Sequence, residues 1–166
     1  MTKTSVFVAS RWIAVVACVL LLGQQSAIAG DGYSGSRIKG VWNVRVNITN
    51  CGPDNIPGPV IFTSFEAMNV FAADGTFLDT NSQNPTAQSA HFGYWRHVRG
   101  NKYEFAEKFF LFDAAGQSTG WRIVRHEIVL SRDGDSFTSG GTAETFNTDG
   151  LLVATGCSTS TALRFD

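Results

Sequence analysis

Residues 121–164 read WRIVRHEIVLSRDGDSFTSGGTAETFNTDGLLVATGCSTSTALR. Two Asp-Gly pairs, Asp133-Gly134 and Asp149-Gly150, divide this stretch into three runs. Asp-Gly between alternating apolar and polar residues marks a hairpin, because both residues accept the positive φ that tight turns need. A two-residue turn at Asp149-Gly150 sets Phe137, Ser139, Gly141 and Ala143 opposite Ala162, Ser160, Ser158 and Gly156. The same reasoning at Asp133-Gly134 continues that face as Val124, His126, Ile128 and Leu130. Register fixes which face each side chain occupies, so these three strands share one defined inner surface, small and polar on its last two strands.

Working outward, further turn signals lie at Ala73-Asp74-Gly75, Arg99-Gly100-Asn101 and Ala115-Gly116. They predict eight strands, near residues 39–50, 60–72, 76–81, 90–98, 102–112, 118–132, 135–146 and 151–165, with no internal repeat and no helical period. Gly52 to Pro59 is a Pro-rich loop unsuited to a central strand. Asn81 to Ser89 is a polar connection containing Pro85. In the first strand Trp42, Val44, Val46 and Ile48 alternate with Asn43, Arg45, Asn47 and Thr49, so the even positions point inward. Placing Cys51 opposite Cys157 brings Val44 opposite Arg164 and turns the first strand toward the same face of the last strand that the hairpins select. The fold expected is therefore all-β: an eight-stranded antiparallel up-and-down barrel, closed by its first and last strands, which removes exposed sheet edges.

The first 29 residues stand apart. Lys3 and Arg11 precede the apolar run Trp12 to Leu22, and Ala27-Ile28-Ala29 forms an A-x-A cleavage site, which reads as a secretory signal peptide. Val15 to Cys18 loosely resembles a lipoprotein box, but the apolar run continues past Cys18. Residues 30–38 are expected to be a flexible leader and 39–166 a single domain. Without Lys3 and Arg11 the chain carries 11 basic and 14 acidic residues, a mild negative excess that argues against nucleic acid or an anionic membrane as partner. No later apolar run is long enough to span a bilayer. Cys51 and Cys157, two cysteines in an exported chain, are expected to form one disulfide in a secreted or periplasmic setting.

Gly40-Val41-Trp42 opens the first strand and Arg164 stands near the end of the last. This pair resembles the lipocalin and wider calycin pattern, in which a G-x-W packs under a basic residue at the closed end of the barrel. The T-D-Y-type segment of lipocalins is missing between the sixth and seventh strands. The chain is more similar to uncharacterised secreted bacterial barrel proteins with an opening G-x-W, a cysteine after the first strand (Cys51), an F-x-x-D-G hairpin (Phe71 to Gly75) and a closing G-C-x-T (Gly156 to Thr159). The resemblance implies a calycin-like barrel and a guanidinium over the Trp42 indole. It implies no particular activity.

The candidate site lies on the middle strands. A two-residue turn at Gly100-Asn101 sets Tyr94 opposite Glu107 and Arg96 opposite Phe105. A bulge in the Asp113 to Gln117 turn then sets Phe109 opposite Arg122 and Phe105 opposite His126. On that register Trp42, Tyr94, Arg96, Phe105, Glu107, Phe109, Arg122 and His126 line the interior. A buried carboxylate needs partners to stay ionised, so Glu107 between two arginines reads as an ion network orienting the polar end of a ligand. A one-residue slip in the sixth strand would replace Arg122 and His126 by Trp121, Ile123, Arg125 and Glu127. No metal site is expected. His91 and His97 share parity but stand about 20 Å apart along a strand, and His126 has no second ligand in view. No cofactor is implied. Catalysis has little support, because Glu66, Glu104, Glu107, Glu127 and Glu144 form no evident acid/base pair and no nucleophile elbow occurs. The function expected is non-catalytic binding of a small, largely apolar molecule. The alternatives are a small-barrel isomerase or cyclase, and an interaction module with a solid core.

Overall fold

The structure, a computed structural model, describes residues 37–165. The expected signal segment 1–29 and residues 30–36 of the leader lie outside the described residues. Eight strands follow in chain order: β1 (Gly40–Cys51), β2 (Pro57–Phe71), β3 (Thr76–Asn81), β4 (His91–Arg99), β5 (Lys102–Phe112), β6 (Ser118–Leu130), β7 (Ser136–Phe146) and β8 (Leu152–Arg164). Each pairs antiparallel with its chain neighbour, and β1 pairs with β8, so the sheet closes on itself as a ring. One short 3-10 turn, Pro53–Asn55, interrupts the strands. Among the described residues, no helix is long and apolar enough to cross a membrane.

The registers of β6, β7 and β8 follow the turn chemistry. Val124 faces Ala143 and Leu130 faces Phe137. Gly141 faces Ser158 and Ser139 faces Ser160. Gly141 has a geometric duty here. A Cβ on it would stand 1.9 Å from the Arg125 carbonyl oxygen and 2.8 Å from the His126 ring, so only glycine lets that ring lie against β7.

Two registers differ from expectation. Across the closure, Trp42 faces Arg164 and Thr49 faces Cys157. The ladder is thus shifted by two residues from one with Cys51 opposite Cys157. The shift is even, so the inward faces are unchanged. The disulfide forms as expected, with Cα atoms 5.3 Å apart. It reaches past the last β1–β8 pair, where irregularities at Thr49 and Cys51 end the regular pairing with β2.

The second difference inverts a face. The Gly100-Asn101 turn is present, with Arg99 opposite Lys102, but a β-bulge between His97 and Arg99 displaces the rest of β4 by one residue. A bulge adds one residue to one strand only, so every side chain beyond it changes sides. Tyr94 therefore faces Ala106 and Arg96 faces Glu104 on the outer surface, while Trp95 faces Phe105 inside.

The end of the ring near Trp42 is packed solid. Trp42, Phe71, Phe77, Tyr103, Ile128, Leu130 and Phe137 are all buried there. Trp42 and Phe137 meet edge-to-face at 4.9 Å, and Phe77 stacks on Phe105 at 4.3 Å. The Arg164 guanidinium lies 4.3 Å above the Trp42 ring, a cation–π contact. It donates hydrogen bonds to the carbonyl oxygens of Lys39, Arg37 and Gly134. The end of the expected flexible leader belongs to this plug. Ile38 is fully buried and its carbonyl accepts the Trp42 indole N–H at 2.8 Å. A buried indole donor needs an acceptor, and the chain just before β1 supplies it.

At the other end the wall is incomplete. β3 pairs with β2 only from Ala67 to Phe71, so residues 57–65 of β2 have β1 on one flank alone. Val60, Ile61 and Phe62 are exposed there.

The disulfide joins strands separated by 106 residues. Chain entropy assigns such a loop roughly 4–5 kcal/mol of stability. Replacing Cys51 and Cys157 together by serine is expected to lower the unfolding free energy by about 2–5 kcal/mol without opening the ring. Denaturant titration with far-UV circular dichroism checks this.

Candidate functional site

Alternation around the ring places Val44 and Val46 of β1, Phe105 and Phe109 of β5, Val124 of β6 and Ala143 of β7 around a cavity of about 160 Å³. It occupies the half of the ring away from the Trp42 plug, and Asn81 and Gln83 also line it. The small inner residues of β7 and β8 leave this room. Ser158 and Ser160 line it, and no atom lies within 4 Å of where a Gly156 Cβ would sit.

One wall of the cavity is polar. Asn69 pairs with Asp79 across β2 and β3, and Asp79 pairs with His91 across β3 and β4. The three side chains therefore stand in one row on the inner face. His91 stacks flat on Phe109, with ring centroids 3.7 Å apart and planes within 3°. Glu107 faces Gly93 one step along, and with no side chain opposite it reaches across to the imidazole. His91 Nδ1 lies 3.3 Å from Asp79 Oδ2 and 3.4 Å from Glu107 Oε1.

These contacts are electrostatic, because neither has the alignment of a hydrogen bond. Both His91 nitrogens, Asp79 Oδ1, Glu107 Oε2 and Asn69 Oδ1 are buried without a hydrogen-bond partner. That many unmet polar atoms on one wall is costly for a structural core. Burial alone would lower the His91 pKa, but the two carboxylates outweigh it and raise it to about 9. Burial raises Glu107 to about 7; Asp79 adds to the rise and His91 opposes it.

Across the cavity, His126 is satisfied. Its Nδ1 meets Ser139 Oγ at 2.8 Å and its Nε2 meets Ser158 Oγ at 2.8 Å, while Ser139 and Ser160 share a hydrogen bond of 2.6 Å. Burial lowers the His126 pKa to about 4, so this imidazole is neutral near pH 7. Arg122 bonds Thr145 through Nε at 3.0 Å and lies 6.0 Å from the Phe109 ring. Burial lowers its pKa.

Of the residues expected at the site, the structure brings together Phe105, Glu107, Phe109, Arg122 and His126. Trp42 points inward but belongs to the plug. Tyr94 and Arg96 are corrected: the bulge at Val98 turns them outward, where Arg96 forms an ion pair with Glu104 and Tyr94 borders a separate, more open depression. The expected network of Glu107 between two arginines is replaced by Asp79 and His91. The expectation of no metal site did not consider one cluster that the structure brings together. Asp79, His91 and Glu107 offer ligand atoms within 4.8 Å of one another. That expectation weighed pairs of histidines only. For Asp79 the available signal was parity with Phe77, whereas the bulge at Val98 hid the face of His91.

Comparison with models of protein families, with curated proteins and with solved structures finds no match to this chain.

His126 carries a pH signature. Its folded pKa lies near 4, against 6.5 for the free side chain, so the unfolded state takes up a proton first as pH falls. Its contribution is complete above about pH 6.5 and lost between there and about pH 4, on the order of 3 kcal/mol. In denaturant titrations across this range, His126→Gln is expected to flatten the fall in stability relative to the parent. Parallel curves for the two proteins would contradict this assignment.

Proposed function

We propose that this chain is an exported small-barrel protein of calycin-like shape that holds a small, largely apolar molecule without transforming it. The observation that carries the reading is the cavity. It has about 160 Å³ of free space, apolar walls and one polar side. A dry cavity of roughly 150 Å³ accommodates benzene, so the ligand body is one ring or a short branched chain. Few converging polar groups in an apolar pocket are the usual form of a small-molecule site. The polar side is rich in acceptors, with Asp79 Oδ1, Glu107 Oε2 and Asn69 Oδ1 unmet. The polar end of the ligand therefore carries N–H or O–H donors. Two further observations support the calycin-like reading: the ring of eight strands and the Arg164–Trp42 contact at the plugged end. The disulfide is compatible with an oxidising compartment.

A second reading, a small-barrel isomerase or cyclase, draws on one arrangement. An imidazole between two carboxylates beside free volume is what proton transfer to a bound substrate needs. Glu107→Gln separates the two readings, because a carrier retains binding and turns nothing over, whereas an enzyme loses turnover.

Titration of the untagged chain with benzylamine and p-cresol in EDTA, followed by protein-observed NMR, is expected to shift signals of Val46, Phe109 and Val124. Ala143→Phe, which fills the cavity, is expected to weaken binding at least about tenfold, or ~1.4 kcal/mol, with an unchanged melting temperature. No perturbation at millimolar ligand, together with native mass spectrometry that finds no small molecule retained from the host, would remove the reading.

A further inference from the structure

We propose that Asp79, His91 and Glu107 form a binding site for a zinc-type divalent cation, with an open coordination position facing the cavity. The inference goes beyond small-molecule binding and does not require it.

Two of the three donor separations are those of a coordination shell, and the third needs a small side-chain adjustment. With metal–ligand bonds of about 2.1 Å, neighbouring donors in a tetrahedral zinc site stand roughly 3.4 Å apart. His91 Nδ1 lies 3.3 Å from Asp79 Oδ2 and 3.4 Å from Glu107 Oε1, and the three donor atoms all fall within 4.8 Å of one another. A proton on Nδ1 serves this geometry poorly. One N–H has a single direction, and here two acceptors straddle it with neither aligned. A cation beyond Nδ1 meets both carboxylates at once.

The unmet atoms are the second, independent observation. His91, Asp79 and Glu107 side chains are only 4 %, 9 % and 6 % exposed, and His91 Nδ1 has no hydrogen-bond partner. Two buried carboxylates and one imidazole nitrogen converge here, a donor set that a divalent cation can hold together. The site is also held in advance. The stack on Phe109 fixes the imidazole plane, and each donor sits on a paired strand rather than a loop.

Donor chemistry selects the ion. One imidazole nitrogen and two carboxylate oxygens suit zinc and its first-row neighbours, whereas calcium takes six to eight oxygens and magnesium a near-octahedral set of oxygens. Three protein ligands with a vacant direction are the form of an open zinc site, not a closed structural one. The vacant direction opens on the cavity, which has space for water or a ligand atom.

The test uses the untagged chain, stripped with EDTA, dialysed and titrated calorimetrically with zinc alone near neutral pH. The expected result is one zinc per chain, with no comparable heat from magnesium or calcium. Asp79→Asn, His91→Gln and Glu107→Gln are each expected to weaken binding by roughly 100-fold. His97→Gln and Asp74→Asn, which change groups away from the cavity, are expected to leave it unchanged. Cobalt added to the parent protein should give the intense visible bands of four-coordination, and X-ray absorption of the zinc form should show a single imidazole among oxygen donors. Absent zinc binding, binding undiminished in folded site variants, or a zinc shell without imidazole would each overturn the proposal. The calorimetry contains no organic ligand and the small-molecule titrations contain EDTA, so either reading can fail while the other stands.

Discussion

Hydrogen bonding between β1 and β8 is the constraint on which this molecule depends. Eight residues of β1, from Trp42 to Thr49, pair with β8, and the Cys51–Cys157 bond fastens the same seam. Without that seam the strands form an open sheet with two exposed edges, and the inner side chains face solvent. With it, every second residue is committed to a shared interior. The cavity exists because closure brings β7 and β8 around to face the polar cluster on β3, β4 and β5.

The interior is divided by side-chain size. Near the seam's Trp42 end, large rings interlock and Arg164 seals them from outside through three backbone carbonyls. Toward the other end, Gly141, Ser139, Ser158 and Ser160 are too small to meet the opposite wall. His126 spans part of that gap and bonds Ser139 and Ser158 directly and Ser160 in relay. The two histidines of the cavity thus occupy opposite situations. His126 is satisfied by hydroxyls and kept neutral by burial, while His91 stands between carboxylates that favour its charged form. Burial acts on both, and the neighbours decide the outcome.

Much of this was legible in the amino-acid order. Turn residues located all eight strands, with the largest discrepancy at the start of β2, which begins at Pro57. Two Asp-Gly turns set the inner face of β6, β7 and β8, and parity of β1 matched it. The Trp42–Arg164 contact followed the G-x-W resemblance. What was not legible is the bulge at Val98. A bulge is a count of residues between paired positions, and nothing in His91 to Arg99 distinguishes nine regular residues from eight and one extra. Aromatic rings on both faces of β4 removed the usual apolar-against-polar guide. That one residue decided whether Tyr94 and Arg96, or His91 and Trp95, entered the barrel. Asp79 was readable from its parity with Phe77, but a carboxylate on a six-residue strand resembles a surface group until its neighbours across the sheet are known.

The stretch of β2 that has β1 on one flank alone has a bearing on how the chain keeps company. A bare strand flank carrying Val60, Ile61 and Phe62 is an invitation to sheet extension by any passing peptide. Pro57 and Pro59 have no amide hydrogen to offer, and the Val60 amide is already taken by the Asn50 side chain at 2.9 Å. A ladder on that flank therefore lacks the amides of residues 57 and 59 at its outset. The sequence thus blunts a flank that ring formation leaves uncovered, using residues that do not line the cavity.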